Sequence, residues 1–507
     1  MTNLLRSEWT KLRTVRSWTV TAVLIAVVMV AFSWVVSAGS HTGICDGPGP
    51  GSCHGEPPVP VGPNGEAVVD AYYYLHEPIA ADGSISVRVS SLTGVTSTAG
   101  NHVEAGTNLL AQSKPALAPW AKAGILITPS LSTGSRYAAV MVTGDHGVRM
   151  QEDYTGDSAG LPGAVTASSP RWLRLSRSGD TLTGSDSTDG VHWYTIGTTR
   201  LSGLAGTAQA GLFVTSPVVP TSSRSNEGTY ATGTFDQLAT TGTVTAEHFN
   251  ATNVGAGPTS DSLAPGRYRQ TGDRYVVGGS GDIAPLASGA GGGGTVPDSG
   301  LLGAFAALIV VAILGAGYIT SEYRRGLVRT TFTATPNRRN VLVAKAIVIG
   351  TTAFIPSLIG TAMAFVLSRH VQRSNGNALL PISTSTEVRA VIGTAAMIAI
   401  TAVLALALGA IARRGALAVT LIVVTTVLPL ILGLTVSTSI GTWLLRITPA
   451  AGFAIQQSVV RYSQVSDSYT PMNGYFPLAP WAGFAVLCAW TLLAMAIASR
   501  VLRRRDA

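Results

Sequence analysis

The chain has 507 residues, of which 46% are apolar and only 12% are charged. Average soluble proteins carry roughly 25% charged residues, so this composition excludes an ordinary soluble protein and favours a membrane protein. The block from Gly39 to Gly300 holds 13 basic and 21 acidic residues, whereas the rest holds 21 basic and 5 acidic residues. The basic residues lie beside apolar runs, which is a pattern of membrane topology and not of nucleic-acid binding.

Six uncharged apolar runs are long enough to cross a bilayer as helices, which takes about 20 residues. They are Trp18–Val36, Leu301 to about Thr320, the run between Lys345 and Arg369, the run between Arg389 and Arg413, Ala416 to about Val436, and Trp481–Ser499. The first run could instead be the core of a cleaved signal peptide.

Basic residues set the orientation of these runs. Four short segments on the side of the N-terminus hold 16 of them: Arg6, Lys11, Arg13, Arg16, Arg324, Arg325, Arg329, Arg338, Arg339, Lys345, Arg413, Arg414, Arg500, Arg503, Arg504 and Arg505. The two short loops on the other side hold only Arg369, Arg373, Arg389, Arg446 and Arg461. We therefore predict cytoplasmic termini and an extracellular block over residues 39–300.

The stretch Asn3–Trp18 is amphipathic. Leu5, Trp9, Leu12 and Val15 recur at helical spacing, and the basic residues Arg6, Lys11, Arg13 and Arg16 lie on the other side. This pattern predicts a helix in the inner interface of the membrane, with its apolar face in lipid. The alternative is that the stretch simply extends the first span.

The external block is rich in Gly, Ser and Thr and has short alternating runs, which predict a β-sandwich. The candidate strands are Ala67–Leu75, Ser84–Ser91, Lys122–Ile127, Tyr137–Thr143, Trp172–Ser176, Val191–Ile196, Ala210–Thr215 and Gly233–Leu238. Asp189-Gly190 predicts a hairpin turn before Val191. Along the chain we expect the interfacial helix and first span over residues 1–38, a Cys/Gly/Pro-rich linker over 39–64, the sandwich over 65–242, and a small β segment with a Gly-rich tether over 243–299. Five further spans, with a cytoplasmic loop over 321–345, are expected over residues 300–507.

Cys45 and Cys53 close a short Gly/Pro-rich loop, and Cys488 lies in an apolar run. A disulfide between Cys45 and Cys53 is expected if the loop is outside the cell, because that compartment is oxidising. The alternative is a metal site with the adjacent His54, although no second ligand pair follows at zinc spacing.

The sequence has no G-x-x-x-x-G-K-[ST] motif, and none of its four lysines follows a glycine. The chain therefore lacks a phosphate-binding P-loop, and ATP with its magnesium would have to bind to another chain. The six apolar runs also contain no Asp, Glu, Lys or Arg, unlike the spans of most ion-driven carriers. We expect no cofactor or metal on this chain and no catalytic residues.

The inner loop over residues 321–345 begins with Ser321, Glu322, Tyr323, Arg324, Arg325 and Gly326. Glu322, Arg325 and Arg329 are spaced to share a helix face. The loop is interpreted either as a short polar helix that docks on a cytoplasmic partner or as a solvated positive loop.

The segments Leu5–Arg13, Ser321–Phe332 and Val341–Ala346 resemble bacterial ABC transporter permeases of the type-2 exporter kind. The resemblance implies an interfacial helix that includes Leu5, Trp9, Lys11, Leu12 and Arg13. It also implies a coupling helix that touches a cytoplasmic ATP-binding subunit, and we expect Ser321–Gly326 and Arg329 to form that contact. Short external or re-entrant helices precede the sixth span in that family, and Ile447–Ile455 fits their place. The insertion of roughly 260 residues between the first two spans departs from the family pattern.

Within that insertion, Lys122–Ile127, Ser135–Val142, Trp172–Leu175, Ser187–Trp193 and Ala210–Ser216 resemble a concanavalin-like or laminin-G-like sandwich of the jelly-roll kind. Such domains often bind sugars or proteins. We interpret Asp189 and Trp193 as turn and core residues and expect no enzyme domain.

The predicted fold is thus a membrane domain of six transmembrane helices with an extracellular all-β sandwich inserted between helices 1 and 2. The predicted function is the permease subunit of an ATP-driven exporter in a bacterial cell membrane, paired with a second permease copy, identical or related. The alternatives are a multi-pass cell-surface protein whose sandwich binds glycan or protein, and an ectoenzyme that acts on glycans.

Overall fold

The computed structural model describes residues 2–41, 44–45, 53–54, 58–97, 110, 113–204, 208–222, 225–242, 249–255, 264–287, 295–326, 337–435, 438–466 and 469–505. The chain divides into two compact units. A helical unit consists of Met1–Pro57, Thr295–Val460 and Tyr469–Ala507. A β unit consists of Pro58–Gly294 together with Arg461–Ser468.

Within its described residues, the helical unit contains nine α-helices, numbered here in chain order. They are α1 (Thr2–Thr14), α2 (Arg16–Ala38), α3 (Ala304–Arg324), α4 (Arg338–Ser374), α5 (Thr384–Ala412), α6 (Gly415–Ile422), α7 (Leu428–Thr435), α8 (Thr438–Ile447) and α9 (Pro480–Arg505). Short 3₁₀ helices cover Pro297–Leu301, Pro449–Gln456 and Pro471–Asn473.

Six membrane-spanning candidates are found among the described residues, which confirms the six predicted runs. They are Arg16–Ala38, Pro297–Arg324, Arg338–Ser374, Thr384–Ala412, Gly415–Leu432 and Pro480–Arg504. The fourth is the most buried, at 67% of its apolar window, whereas the first is only 22% buried. Helix α5 therefore lies in the middle of the helical core, and α2 leaves a broad apolar face exposed, as a helix in lipid requires.

The fifth span is not a regular helix. A π-helical turn over Val423–Val427 separates α6 from α7, and Pro429 follows it within one turn. Proline has no N–H to donate to the carbonyl four residues earlier, so a local change of hydrogen bonding is expected there. Pro356 lies inside α4, which continues on both sides of it.

The β unit carries most of the strands, numbered here in chain order from a two-residue pair in the first unit. They are β1 (Ile44–Cys45), β2 (Cys53–His54), β3 (Val68–Asp70), β4 (Tyr72–Ile79), β5 (Asp82–Ser97), β6 (Ser113–Pro115), β7 (Lys122–Thr128), β8 (Ala138–Thr143), β9 (Val148–Glu152), β10 (Gly156–Ala159), β11 (Arg171–Ser178), β12 (Thr181–Ser187), β13 (Tyr194–Arg200), β14 (Ala208–Thr215), β15 (Val219–Ser222), β16 (Ser225–Glu227), β17 (Thr229–Thr241), β18 (Asn250–Val254), β19 (Arg267–Thr271), β20 (Arg274–Gly279) and β21 (Ile283–Pro285).

Two large antiparallel sheets form the body of the β unit. One has the order β10-β9-β8-β7-β14-β4-β18, and the other has the order β13-β12-β11-β5-β17-β20-β19 with β6 beside β5. Buried side chains of both sheets, such as Leu75 and Ile125 from the first and Val87 and Leu173 from the second, belong to one apolar core. The β unit is therefore a two-sheet sandwich, as the sequence predicts.

The seven-stranded sheet is buried on its other face too. Tyr72, Tyr74, Tyr154 and Phe213 form a second apolar cluster there with residues of β3 and β21. The pair β3–β21 is a separate two-stranded sheet. This face is consequently covered by the chain itself, which explains why β4 is buried along nearly its whole length and not only at alternate positions.

Candidate functional site: a buried ion cluster at the helix ends

Four charged side chains meet at one end of the helical unit. Glu8 of α1 is fully buried, and its Oε2 accepts hydrogen bonds from Lys345 Nζ at 2.7 Å and from the Tyr318 hydroxyl at 2.7 Å. Its Oε1 accepts from Lys11 Nζ at 2.9 Å. We call Glu8, Lys11, Glu322 and Lys345 the ion cluster.

Glu322 closes this arrangement from the end of α3. Its Oε1 lies 2.6 Å from Lys345 Nζ and 3.5 Å from Lys11 Nζ. The Lys345 ammonium also lies 4.9 Å from the centre of the Tyr318 ring, a cation–π distance. Two acids and two bases therefore balance each other in a site where Glu8, Lys345 and Glu322 are largely shielded from solvent.

The helical spacing of the residues explains how three helices supply the cluster. Glu8 and Leu12 are four residues apart on α1, and both face the helical core with exposures of 0% and 4%. Tyr318 and Glu322 are likewise four residues apart on α3. Lys345 enters from the second turn of α4 and is 3% exposed. Lys11 is 44% exposed at its side chain and bridges the cluster to solvent.

The electrostatics of Glu8 favour its charged form. Burial raises the pKa of the Glu8 carboxyl, but the charge of Lys345 and the hydrogen bonds from Lys345, Lys11 and Tyr318 lower it, and the net pKa lies below the usual value. Burial lowers the pKa of Lys11, but Glu8 and Glu322 raise it above its usual value. A buried ion pair gains little net stability, because removing both charges from water offsets most of their attraction.

Aromatic and basic contacts extend the cluster to the neighbouring helix ends. Trp18 at the start of α2 packs edge-on against Tyr318, with ring centres 5.8 Å apart. The guanidinium of Arg413, just after α5, lies 5.2 Å from the centre of the Tyr323 ring. Arg338, at the start of α4, donates to the carbonyl of Leu502 in α9 at 2.6 Å. The ends of α1 to α5 and α9 are thus linked by polar and ring contacts.

The residues predicted to couple the chain to a partner lie beside the cluster. Ser321, Glu322 and Tyr323 are half-buried at the end of α3, with the Ser321 hydroxyl donating to the Tyr318 carbonyl, whereas Arg324, Arg325 and Gly326 are exposed. Gly326 has a φ of +69°, which ends the helix. Glu322 therefore points to Lys345 and Lys11, and Arg324 and Arg325 remain on the surface. Arg329 and the rest of residues 327–336 lie outside the described residues.

The predicted interfacial helix is α1, and it is separate from the first span. Val15 has extended backbone between α1 and α2, so the two helices are not continuous. Leu12 is buried and Leu5 packs against the helical core, while Trp9 is 44% exposed and Lys11 and Arg13 are exposed. Only part of the apolar face of α1 is therefore free to enter lipid.

Sequence reasoning did not assign a site role to Glu8 and Lys345. Glu8 is the only acidic residue in the basic segment before the first span, and Lys345 borders the third apolar run. A charged group at the edge of an apolar segment is costly near lipid unless it is paired. The isolated acid Glu8 and the isolated base Lys345 were therefore the sequence signal for a buried ion pair.

The predicted features of the β unit are met in part. The Asp189-Gly190 turn forms, with Gly190 at φ +76° and Asp189 Oδ1 accepting from the backbone N–H groups of Val191 and His192. Trp193, just before β13, is half-buried and lies outside the apolar core, and the Arg174 guanidinium lies 3.7 Å from its ring centre, so its prediction as a core residue is wrong.

The backbones of Cys45 and Cys53 lie directly opposite each other in the pair β1–β2. Directly paired residues have Cα atoms roughly 4.5–5.5 Å apart, within the range that a disulfide spans. The side chains of both cysteines lie outside the described residues, and the disulfide stays a prediction. No cluster of three metal-ligating side chains occurs among the residues that the structure describes.

The sequence model of one protein family, described as "ABC-2 family transporter protein", matches residues 149–507, well over half of the chain. No curated protein matches the sequence.

Several solved structures share weak similarity with the chain. A mutant GH43 protein from Bacillus licheniformis is 15% identical, with 32% of this chain and 28% of that protein covered and a TM-score of 0.21. A functionally unknown protein from Saccharomyces cerevisiae is 13% identical over 41% of this chain and 98% of its own, with a TM-score of 0.23. Scytalido-glutamic peptidase with a transition-state analog inhibitor is 7% identical over 43% of this chain and 100% of its own, with a TM-score of 0.27. The chain thus spans little more than a quarter of the GH43 protein. Similarities with TM-scores this low indicate neither a shared fold nor a shared function.

Proposed function

Because the chain belongs to the ABC-2 family of transporter proteins, we propose that it is the permease subunit of an ATP-driven exporter and works with a separate cytoplasmic ATP-binding subunit. The six spanning helices and the lack of a P-loop support this division of labour. ATP and its magnesium ion bind to the partner subunit, and the permease supplies the path through the membrane.

The ion cluster is the observation that carries the coupling part of the proposal. Glu322 lies two residues before Arg324 and three before Arg325, which are both exposed, and its carboxylate contacts Lys345 at 2.6 Å. Lys345 in turn contacts Glu8 at 2.7 Å. A partner that moves the chain just after Arg325 therefore pulls on α3, and the buried pairs pass that movement to α4 and α1.

Buried ion pairs suit this role for a physical reason. A charged hydrogen bond holds its two groups at a fixed distance, and separating the groups in a low-dielectric site is costly. Apolar contacts between smooth helices would allow sliding. The helices that meet at the ion cluster are accordingly expected to move as one body at this end.

Orientation and assembly follow from the charge distribution and the exposed apolar faces. The termini and the ion cluster are cytoplasmic, and residues 39–300 form an extracellular concanavalin-like domain. A second permease copy, identical or related, completes the pathway, since α2, the fifth span and α9 each leave most of their apolar surface uncovered. The bilayer covers what the second copy leaves exposed.

A charge reversal tests the docking role directly. Arg325→Glu is expected to lower ATP hydrolysis coupled to the permease by at least about tenfold, because a reversed charge at a docking surface repels its partner. The matched control is Arg6→Glu, which reverses an exposed basic residue on α1. Equal membrane levels of the two variants with equal coupled hydrolysis would remove Arg325 from the docking surface.

A further inference from the structure

One short segment near the C-terminus does not belong to the helical unit. Residues Arg461–Ser468 group with the β unit, although the chain on both sides, up to Val460 and from Tyr469, belongs to the helical unit. Residues 461–466 of this stretch are described, and we call them the docking segment. The β unit is therefore joined to the helical unit by two further chain connections besides those at residues 57–58 and 294–295.

A buried glutamine anchors the docking segment. Gln464 is 3% exposed, and its Nε2 donates to the carbonyl of Tyr154 at 3.1 Å and to that of Thr155 at 3.3 Å. The Ser463 hydroxyl donates to Gln464 Oε1 at 3.3 Å, so both ends of the amide are engaged. A polar side chain from a loop, buried this fully and satisfied by backbone carbonyls, is a specific contact and not a chance one.

The turn that receives Gln464 has an unusual backbone. Asp153 and Tyr154, which connect β9 to β10, have φ angles of +44° and +63°, and neither is glycine. Two successive non-glycine residues in this region persist only where their surroundings hold them. Arg136 Nε donates to Asp153 Oδ2 at 2.9 Å, and the Tyr154 hydroxyl donates to the Ser135 carbonyl at 3.0 Å. This turn directs the two carbonyls at the docking segment.

A second side chain of the segment lies near an acidic residue of the β unit. Burial and the negative charge of Glu66 raise the pKa of Tyr462. Asn64, close to Glu66 in sequence, donates to the Thr155 hydroxyl at 3.4 Å. Residues 64–66 thus lie beside the turn at residues 153–155 that receives Gln464.

We propose that this contact couples the β unit to the last span: the docking segment is held by the turn at residues 153–155, and the chain after it leads into α9. The coupling role rests on the proposed function as an exporter permease. The partner of this surface of the sandwich is then a segment of its own chain. Because the anchor is one amide on two carbonyls, it can be released and remade without disturbing the apolar core of the sandwich.

The test uses the full chain with its ATP-binding partner. Gln464→Ala removes the anchor, and Gln464→Glu keeps its shape but replaces the donor with a carboxylate that the two carbonyls repel. The matched control is Gln457→Ala, whose side-chain amide donates to the carbonyl of Val459 two residues away. Amide hydrogen exchange reports the contact, and ATP hydrolysis with export reports the coupling.

Both Gln464 variants are expected to exchange about 5- to 30-fold faster over residues 461–466 and 153–156, the effect of losing one or two hydrogen bonds. They are also expected to lower coupled hydrolysis severalfold, while Gln457→Ala changes neither. Unchanged exchange in both Gln464 variants would overturn the contact. Faster exchange with fully retained coupled hydrolysis would overturn the coupling. If the wild-type chain shows no coupled hydrolysis at all, the proposed function fails and the coupling role fails with it, whereas the exchange result still decides the contact.

Discussion

Glu8 illustrates how much of the site depends on single side chains. Its carboxylate is fully buried and accepts hydrogen bonds from Lys345, Lys11 and Tyr318. The sequence marks Glu8 as an acid among bases but does not identify its partners, because Tyr318 and Lys345 are more than 300 residues away. Such partners emerge only when the packing of α1, α3 and α4 is known.

Removing one charge from the ion cluster is predicted to be costly. Lys345→Met leaves two carboxylates facing each other in a nearly closed site, and a destabilisation of about 3–5 kcal/mol is expected. The double variant Glu8→Met with Lys345→Met keeps only the pair of Lys11 and Glu322 and should recover most of that loss. Thermal unfolding in detergent measures both, and Arg6→Met, an exposed change on α1, is the control. A single variant as stable as the wild type would contradict the structural role of Lys345.

Asp70 is predicted to give the β unit a dependence on pH. Burial raises its pKa to about 6, although the N–H of Gly134 donates to its Oδ2 at 2.9 Å and lowers it in part. The folded state then holds a proton between about pH 4 and pH 6 that the unfolded state has lost. The contribution of Asp70 to the free energy of unfolding is therefore fully present below the ordinary pKa of 3.8 and is lost as pH rises through about 6.

Amide exchange of β3 and β4 in the full chain measures this effect. After correction for the intrinsic rate, the wild type should open less readily at pH 5 than at pH 7, with a difference of roughly 1.3 kcal/mol, because pH 5 lies about one unit below the folded-state pKa. Asp70→Asn removes the titrating group and should flatten the profile, and the exposed Asp82→Asn should leave it unchanged. An identical profile in Asp70→Asn and the wild type would show that the proton is held elsewhere.

At the scale of elements, the spans were the most predictable part of the fold. A run of about 20 apolar residues has few alternatives in a bilayer, so all six runs became spanning helices. The strands were predicted where they alternate or carry aromatic and branched residues, as in β4, β7, β8 and β14. β19 was missed because all five of its residues are exposed and it has no apolar period. The order of strands in each sheet depends on long-range pairing, which a single sequence does not encode locally.

Close helix packing depends on particular glycines. A Cβ atom at Gly315 of α3 would lie 2.2 Å from the carbonyl oxygen of Ala402 in α5, which is backbone and cannot yield. At Gly350 of α4 the nearest atom would be Val403 Cγ2 at 3.4 Å, an ordinary contact. Small residues at such crossings let spanning helices approach each other.

Gly315→Ala is accordingly predicted to force α3 and α5 apart and to lower both the thermal stability and the coupled ATP hydrolysis. Gly350→Ala should be neutral or slightly stabilising, because alanine favours a helix by up to about 1 kcal/mol over glycine. Thermal unfolding of the two purified variants provides the comparison. Equal melting temperatures for both would mean that α3 and α5 do not cross at Gly315.

For the whole molecule, the distribution of charge determines the expected orientation. In a chain whose three native cysteines are replaced by serine, single cysteines at the exposed positions Val191 and Ser385 should react with a membrane-impermeant maleimide in intact cells. A cysteine at the exposed Arg325 should react only after the membrane is opened. Labelling of Arg325→Cys in intact cells would reverse the orientation.

The contact of the docking segment with the β unit could not be predicted from the sequence. The resemblance to exporter permeases implies a short external or re-entrant helix near Ile447–Ile455, and a 3₁₀ helix is found at Pro449–Gln456. Nothing in the local pattern indicates that the chain next joins the β unit, since the anchor is one glutamine in a polar loop. Its partners are backbone carbonyls, which leave no signature in side-chain sequence.

Copurification from a mild-detergent extract tests whether the chain is an exporter permease that works with a separate ATP-binding subunit. The tagged full chain is isolated from its native membrane, its partners are identified, and ATP hydrolysis is measured. We expect a separate ATP-binding subunit in the complex and measurable hydrolysis. Both should be lost when Glu322 and Arg325 are changed together, and both should be kept when Arg6 is changed. A folded chain that carries no ATP-binding subunit would contradict the assignment as an exporter permease.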